Sequence, residues 1–223
     1  MNRRRSISSS VEVSKKTPIL RFLTVALSQL RSLSLAEFLL ALGQSLFRND
    51  PILVYMRELD GTEPKQQGRW ANVRSEKGTL EELEAVASGF DKPPWEFRCH
   101  RYDGVTDFFV VKDGGVIQNI AWIYYEDDPN RILRLQSKEA EAKYGLTMPA
   151  FRGKGLAAAT LSSMASFLGK RSFRRLFVTV HRDNASSIST IEKAGFRRVG
   201  EMRLRKVLGI QVSKPFTLKR GAG

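Results

Sequence analysis

The stretch Pro149–Ala157, which reads Pro-Ala-Phe-Arg-Gly-Lys-Gly-Leu-Ala, constrains the fold of this chain more than any other. A predicted strand ends where the stretch begins, the chain turns through Gly153 and Gly155, and a helical pattern follows. Helix N-termini present unpaired backbone N–H groups and the positive end of the helix dipole, and glycines let the backbone approach a phosphate closely. Arg152 and Lys154 add positive charge. The stretch therefore predicts a strand–turn–helix unit that can cradle a phosphate group, although its spacing is not that of a P-loop.

The elements predicted around this stretch alternate between strands and helices. Strands are predicted at 52–56, 108–111, 116–125, 141–148 and 176–180 and from 199 onward, and helices at 79–88, 155–168 and 185–194. This order predicts an α/β (α+β) fold with a mixed, mostly antiparallel central sheet, flanked by helices and containing one parallel strand pair near its middle.

The chain is predicted to have three parts: a disordered basic tail at 1–16, an amphipathic helical extension at 17–50, and the main domain at 51–223. The apolar face of the extension has two interpretations. It packs on the main domain or on a second copy of the chain, giving a homodimer, or residues 17–47 lie peripherally on a membrane. Charged residues interrupt this region before it reaches the length of a transmembrane helix.

The net charge of +14 is unevenly distributed along the chain. Residues 151–223 carry 16 Lys/Arg and 3 Asp/Glu, whereas residues 51–150 carry 13 and 17. The basic third would attract a polyanion, and the acidic middle segment a cationic amine. No aromatic and basic pattern typical of a nucleic-acid binder is present, and one cysteine with two histidines gives no metal-site pattern, so neither nucleic acid nor metal is expected.

Two motifs at a matching distance make the prediction more specific. Arg152, Gly155 and Ala157 match the Arg/Gln-x-x-Gly-x-Gly/Ala signature of GNAT N-acetyltransferases, and Asn184–Phe196 is similar to the second half of the same signature. The chain thus resembles the GNAT superfamily over residues 52–212, most sharply over 146–199. The resemblance implies a GNAT-like sheet whose parallel strands splay apart and admit the pantetheine arm of acetyl-CoA, or another acyl-CoA, as co-substrate.

The resemblance also assigns residues to this co-substrate. Backbone N–H groups of the loop would hold the pyrophosphate, namely those of Arg152, Gly153, Lys154, Gly155, Leu156 and Ala157. The end of the preceding strand, Leu146, Thr147 and Met148, would hydrogen-bond the pantetheine arm, which Asn184 and Ser187 would also contact.

The proton transfers are less well defined by the sequence. An amine must lose a proton before it attacks a thioester, and we rank Glu126 and His181 first as candidate bases. Glu139 and Glu141 are predicted to be solvated charges at a strand edge. Many family members have a tyrosine that protonates the leaving thiolate seven residues after the asparagine, but this chain has Ile191 there. The candidate substitutes are Tyr124, Tyr125 and Tyr144.

Three functions follow from this resemblance. The first is a small-molecule N-acyltransferase whose acceptor is a primary amine, with an amino sugar of a cell-envelope polysaccharide pathway as the leading class, because the extension and tail resemble those of bacterial GNAT members of such pathways. The second is a protein or peptide N-acetyltransferase, and the third is a catalytically inactive acyl-CoA-binding module. The expected location is cytoplasmic, including the inner face of the membrane.

Overall fold

The computed structural model describes residues 47–59, 73–128, 132–207, 210–211 and 213–217. The predicted tail at 1–16 and the predicted helices up to residue 46 lie outside the described residues. Residues 47–50, which the sequence assigns to the extension, begin the first strand. The chain divides into two compact units: Asp50–Leu204 with Lys214–Gly223, here called the main unit, and Met1–Asn49 with Arg205–Ser213.

Eight strands and four α-helices make up the regular structure of the described residues. The strands are β1 Phe47–Glu58, β2 Glu76–Lys77, β3 Phe108–Asp113, β4 Val116–Tyr124, β5 Glu139–Thr147, β6 Arg175–His181, β7 Arg197–Val207 and β8 Ile210–Gln211. The helices are α1 Leu80–Ser88, α2 Cys99–Asp103, α3 Leu156–Lys170 and α4 Ala185–Lys193. Short 3-10 turns occupy Trp95–Arg98 and Pro149–Phe151.

The sheet of the main unit has the strand order β2-β3-β4-β5-β6-β1-β7. β5 and β6 pair in parallel, and the pairs β2–β3, β3–β4, β4–β5 and β1–β6 are antiparallel. The prediction of a mixed, mostly antiparallel sheet with one parallel pair near its middle is therefore confirmed.

Both faces of this sheet are covered by helices. On β4, Ala121 and Ile123 belong to the core cluster that contains residues of α3 and α4, whereas Ile120 and Trp122 belong to the cluster that contains residues of α1 and α2. Successive side chains of a strand point to opposite faces, so α3 and α4 cover one face and α1 and α2 the other.

Local signals in the sequence set the ends of several elements. The Thr79 hydroxyl caps α1 by accepting a hydrogen bond from Glu82 N at 3.3 Å, as predicted. The hairpin of β3 and β4 turns at Gly114 and Gly115, whose φ angles of +54° and +80° suit glycine. Gly195, with φ of +82°, follows the end of α4.

The segment Trp95–Asp103 was not predicted, because contacts distant in sequence fix it. The Trp122 indole donates to the Glu96 carbonyl at 2.7 Å, and the Tyr124 hydroxyl donates to the Asp103 carboxylate at 2.7 Å. Phe97 and Cys99 are buried in the core cluster on the sheet face that α1 and α2 cover.

In the second unit, the end of β7 pairs antiparallel with β8 through Lys206–Gln211 and Val207–Ile210. Within the described part of the chain, no helix has the length and apolar character needed to cross a membrane.

Leu168 is fully buried in the cluster of α3. Replacing it with alanine should lower the free energy of unfolding by about 2–5 kcal/mol, because the lost burial is compounded by a cavity. Urea denaturation checks this, with Val116→Ala as the control because Val116 is 52% exposed. Equal losses for the two variants would contradict the assigned core.

Candidate functional site

The parallel pair β5–β6 separates along its length and opens a cleft. The two strands pair from Glu139–Arg175 to Ala142–Val178, and beyond that point β5 continues to Thr147 and β6 to His181 without pairing. A cavity of about 1130 Å³ lies at this fork and is lined by both strand ends, the loop before α3 and the first turns of α3 and α4. The predicted splay of the strand before Pro149 is thus present in the structure.

A β-bulge in β5 accompanies the fork. β4 pairs Ile120 with Leu146 and Trp122 with Lys143, which leaves Tyr144 and Gly145 opposite the single residue Ala121. Tyr144 has a φ of +49°, an uncommon value for a residue with a side chain. Because a bulge bends its strand and increases the local twist, the extra residue accounts for the departure of β5 from β6.

A buried polar network anchors the end of β5 that has separated from β6, and it does so from β4 and helix α3. The Asn119 amide nitrogen donates to Leu146 O at 3.0 Å and to Thr147 Oγ1 at 2.8 Å. The Thr160 hydroxyl lies 2.6 Å from the Asn119 amide oxygen and 3.0 Å from Leu156 O. Asn119 and Thr160 are 1% and 0% exposed, so the end of β5 is tied to both β4 and α3.

Helix α3 points an uncapped N-terminus at this cleft. Its N-cap, Gly155, has a φ of +76° and no side chain with which to cap, whereas Thr79 caps α1 and Asn184 caps α4. The first intrahelical bond joins Ala159 N to Gly155 O, so the N–H groups before Ala159 have no partner within the helix. Gly153, with φ of +78°, has open space where a side chain would project.

Most of the predicted cofactor residues line the cavity. The lining includes Leu146, Thr147, Arg152, Gly153, Gly155, Leu156, Ala157, Asn184 and Ser187. Met148 is not part of it, because its N–H donates to Gln118 O and its side chain packs on the core of the opposite face. The Lys154 side chain is also not part of it, and its ammonium lies 5.2 Å from the Phe151 ring centre.

The end of β5 still presents backbone groups to the fork. Neighbouring residues of a strand direct their N–H and C=O groups to opposite edges. Since Met148 N faces β4, the backbone of Thr147 faces the side from which β6 has departed. Arg152 Nε lies 3.4 Å from Thr147 O on that side.

Asn184 has a structural contact that the family signature does not reveal. Its side-chain oxygen accepts from Ser187 N at 3.1 Å and so caps α4. This contact uses only an acceptor, so the amide nitrogen of Asn184 stays available as a donor at the cavity wall.

The charge of the cavity wall is positive. Lys143, Arg152 and Lys193 line it, and no carboxylate stands among the lining residues that the structure describes. The acidic middle segment does not supply negative charge here, because several of its carboxylates pair elsewhere, including Glu84 with Arg101, Asp107 with Lys77 and Glu139 with Arg175.

Of the two leading base candidates, only His181 lies at the cleft. His181 ends β6, and its Nδ1 accepts from Asp183 N at 3.2 Å. A neutral ring that accepts at Nδ1 carries its proton on Nε2, so Nε2 donates a hydrogen bond and is not the basic nitrogen of the ring. Glu126 is exposed in the turn after β4, beyond the Tyr124–Glu141 pair and thus past the closed end of the fork. The structure does not bring Glu126 to the cleft.

Glu139 and Glu141 are not solvated, which corrects the sequence-based expectation. They are 6% and 0% exposed because helices and loops cover both faces of β5. Glu139 pairs with Arg175 at 3.0 Å, and Glu141 accepts from the Thr179 hydroxyl at 2.8 Å. Thr179 itself lines the cavity, so Glu141 lies one hydrogen bond behind the wall.

The candidate tyrosines occupy different environments. Tyr124 is fully buried, and burial together with its bond to Asp103 raises its pKa well above 10.0. The hydroxyl of Tyr125 donates to Asp107 at 2.5 Å. Tyr144 alone of the three lines the cavity, and burial raises its pKa as well. Ile191 packs in the core while reaching the cavity wall, so it closes the space that the family tyrosine would take.

Sequence reasoning missed Asn119, Thr160 and the bulge at Tyr144. A detectable signal for Asn119 was its position, next to Gln118, in the otherwise apolar strand Val116–Tyr124. Thr160, inside the apolar helix α3, gave a similar signal.

The family comparison agrees with this geometry. The profile of the Acetyltransferase (GNAT) domain matches residues 55–197, more than half of the chain. The chain therefore belongs to the GNAT acetyltransferase family, which implies acyl transfer from acyl-CoA to an amine. No metal-binding cluster occurs among the described residues, and a search of curated protein sequences finds no match.

Solved structures share the fold at low sequence identity. A GCN5-related N-acetyltransferase from Sphaerobacter thermophilus is 18% identical over 82% of this chain and 60% of its own, with a TM-score of 0.50. A glucosamine N-acetyltransferase region of a fungal multi-domain GH3 β-N-acetylglucosaminidase is 13% identical over 78% of this chain and 23% of its own, with a TM-score of 0.52. A proposed GNAT-family acetyltransferase from Novosphingobium aromaticivorans is 23% identical over 71% of this chain and 65% of its own, with a TM-score of 0.49. The chain thus spans less than two thirds of the length of each of these three structures.

Thr160→Val keeps the side-chain volume but removes the hydroxyl bound to Asn119. It should lower the free energy of unfolding by about 1–3 kcal/mol, because the buried amide oxygen loses its donor. Hydrogen exchange of the amides at the end of β5 should also accelerate. Thr160→Ser, which keeps the hydroxyl, is the matched control for exchange. Unchanged exchange in the valine variant would show that the network does not hold this strand end.

Proposed function

We propose that this chain is an acetyl-CoA-dependent N-acetyltransferase whose acceptor is the primary amine of a small molecule, with an amino sugar as the leading class. The observation that carries the proposal is the fork between β5 and β6, which meets the uncapped N-terminus of α3 in one cavity. The family membership supplies the reaction type, and the amino-sugar class rests on the sequence resemblance described above.

The cavity suits an acyl-CoA in two respects. The first-turn N–H groups of α3, the open backbone at Gly153 and the Arg152 guanidinium together favour a pyrophosphate. The unpaired edge of β5 at Thr147 can hydrogen-bond the amides of a pantetheine arm as a neighbouring strand would. At about 1130 Å³, the cavity is large enough for such a chain.

Bound acetyl-CoA supplies an activated carbonyl, and the residues of this chain orient it and stabilise charge. The amine nitrogen forms the new bond to that carbonyl carbon as the carbon–sulfur bond breaks, and the proton lost by the amine balances the proton gained by the thiolate. A donor aimed at developing negative charge favours this step. His181 Nε2–H is such a donor at the cleft, so we assign it hydrogen-bond donation, which differs from the base role that the sequence suggested.

The cavity wall favours a small acceptor over a basic peptide. Three cationic side chains line it, and the lining residues in the described ranges include no carboxylate, so a lysine-rich peptide would meet repulsion. Ile191 is the feature that favours the second candidate, an acyl-CoA-binding module without catalysis, since it lacks the hydroxyl of the family tyrosine.

Arg152→Glu should weaken acetyl-CoA binding at least tenfold, because it places a negative charge beside the phosphates. Isothermal titration calorimetry with acetyl-CoA measures this. The control is Arg203→Glu, which makes the same charge change at an exposed position of β7 that is not part of the cavity lining. Equal affinities for the two variants would place the co-substrate elsewhere, and no binding by the folded wild-type chain would reject the proposed activity.

His181→Ala should lower kcat about 10–100-fold by removing one donor, whereas His181→Gln should retain part of the rate through its amide N–H. The acid limb of the pH profile of kcat/KM should remain in the glutamine variant, since a hydrogen-bond donor does not titrate as the base. If the glutamine variant loses that limb, His181 acts as the general base and the donor role is wrong.

A further inference from the structure

Two aromatic side chains stack on each other at the surface beside the cleft. Trp95 and Tyr102 are 39% and 38% exposed, and they are two of the four large apolar side chains exposed within the described ranges. Their ring centres lie 4.7 Å apart with an interplanar angle of 29°. Exposed rings of this size leave apolar area in water, so they add less to folding than buried ones.

The stacked pair is continuous with the wall of the cavity. The Tyr144 ring meets Trp95 edge-on, at 5.9 Å between centres and 85° between planes. Tyr144 lines the cavity, at the bulge where β5 leaves β6. We call Trp95, Tyr102 and Tyr144 the aromatic wall, which runs from the fork to the surface on the face covered by α1 and α2.

The backbone beneath the aromatic wall is held rigidly. Trp122 donates to the carbonyl of Glu96, the neighbour of Trp95, and Tyr124 donates to Asp103, the neighbour of Tyr102. Asp103 is 5% exposed. Because these bonds hold the chain beside Trp95 and Tyr102, and the two rings stack on each other, a ligand that binds on them bears less of the cost of ordering them.

Resting on the proposed function, we propose that the aromatic wall binds the ring face of the acceptor and that this acceptor is a pyranose that carries a primary amine. The C–H groups on one face of a pyranose carry a slight positive charge, and the face of an aromatic ring is negative, so the two surfaces attract. This placement leaves the ring substituents, including the amine, free to reach into the fork.

Two observations favour a sugar amine over a simple alkylamine. Lys143 Nζ lies 4.8 Å and 5.0 Å from the ring centres of Tyr124 and Tyr144, so a cation already takes the cation–π position on the Tyr144 ring that an alkylammonium group would use. The lining residues that the structure describes also include no carboxylate to take the proton. An amine flanked by the electron-withdrawing oxygens of a sugar has a lower pKa than a lysine amine, whose ordinary value is about 10.4, so it loses its proton with less help.

The test compares Trp95→Ala with the wild-type chain in the acetylation of glucosamine, followed by thiol release from acetyl-CoA. The KM for glucosamine should rise about tenfold with kcat little changed, and Trp95→Phe should restore most of the affinity. Phe90→Ala is the matched control, because Phe90 is 38% exposed and contacts Phe97 at the same face without reaching Tyr144. The acetyl-CoA affinity of all variants should equal that of the wild type.

Two amines without a sugar ring test whether the chain prefers a pyranose as the acceptor. The linear amine 6-aminohexanol should be a poorer substrate than glucosamine and insensitive to Trp95→Ala, and aniline should also be poorer. An unchanged KM for glucosamine in Trp95→Ala, or a preference for either of the other amines, would overturn the proposal.

Saturation-transfer NMR separates this proposal from the proposed activity. It detects glucosamine contact with the wild-type chain whether or not the sugar is acetylated. Acetyl-CoA binding without transfer to any amine would reject the activity alone. In that case, glucosamine contact that disappears in Trp95→Ala would still support the aromatic wall as a sugar site, and contact that persists would overturn it.

Discussion

The separation of β5 from β6 is the feature on which the rest of this structure depends. Parallel strands in the middle of a sheet normally satisfy each other's backbone groups along their whole length. Here the pairing stops at Ala142–Val178, and the bulge at Tyr144 and Gly145 turns the rest of β5 aside. The lost bonds are offset by the Asn119–Thr160 network, which anchors the strand end to β4 and α3. The cavity in the middle of the sheet therefore depends on Asn119, which lies in its wall, and on Thr160, which lies behind that wall.

Much of this architecture could be predicted because its signals are local. Pro149 ends the strand, glycines allow the turn into α3, Thr79 caps α1, and the Gly114–Gly115 pair turns the hairpin. Each of these depends on the backbone preference or hydrogen-bonding capacity of one or two neighbouring residues. The two family motifs then fixed the order of the elements between them.

The rest could not be predicted because it depends on contacts distant in sequence. The alternation Glu139-Ala140-Glu141-Ala142 is typical of a strand with one solvated face, but the fold covers both faces and pairs the glutamates with Arg175 and Thr179. The five-residue helix α2 has too few residues to show a helical period; Tyr124 holds it through Asp103, and Trp122 holds the 3-10 turn before it through Glu96. The direction in which His181 presents its proton depends on Asp183 N, a bond that no residue pattern reveals.

The fork also gives this sheet an internal edge. A sheet ordinarily exposes unpaired backbone groups only at its two outer strands, and proteins protect those strands from pairing with other chains. Beyond Ala142 and Val178, this chain has two more such edges, which no longer pair with each other. An extended, amide-bearing chain is the kind of molecule that fits between them, and a kinked, glycine-containing strand end is a poor template for a neighbouring protein. The same bend that opens the fork thus limits aggregation at these inner edges.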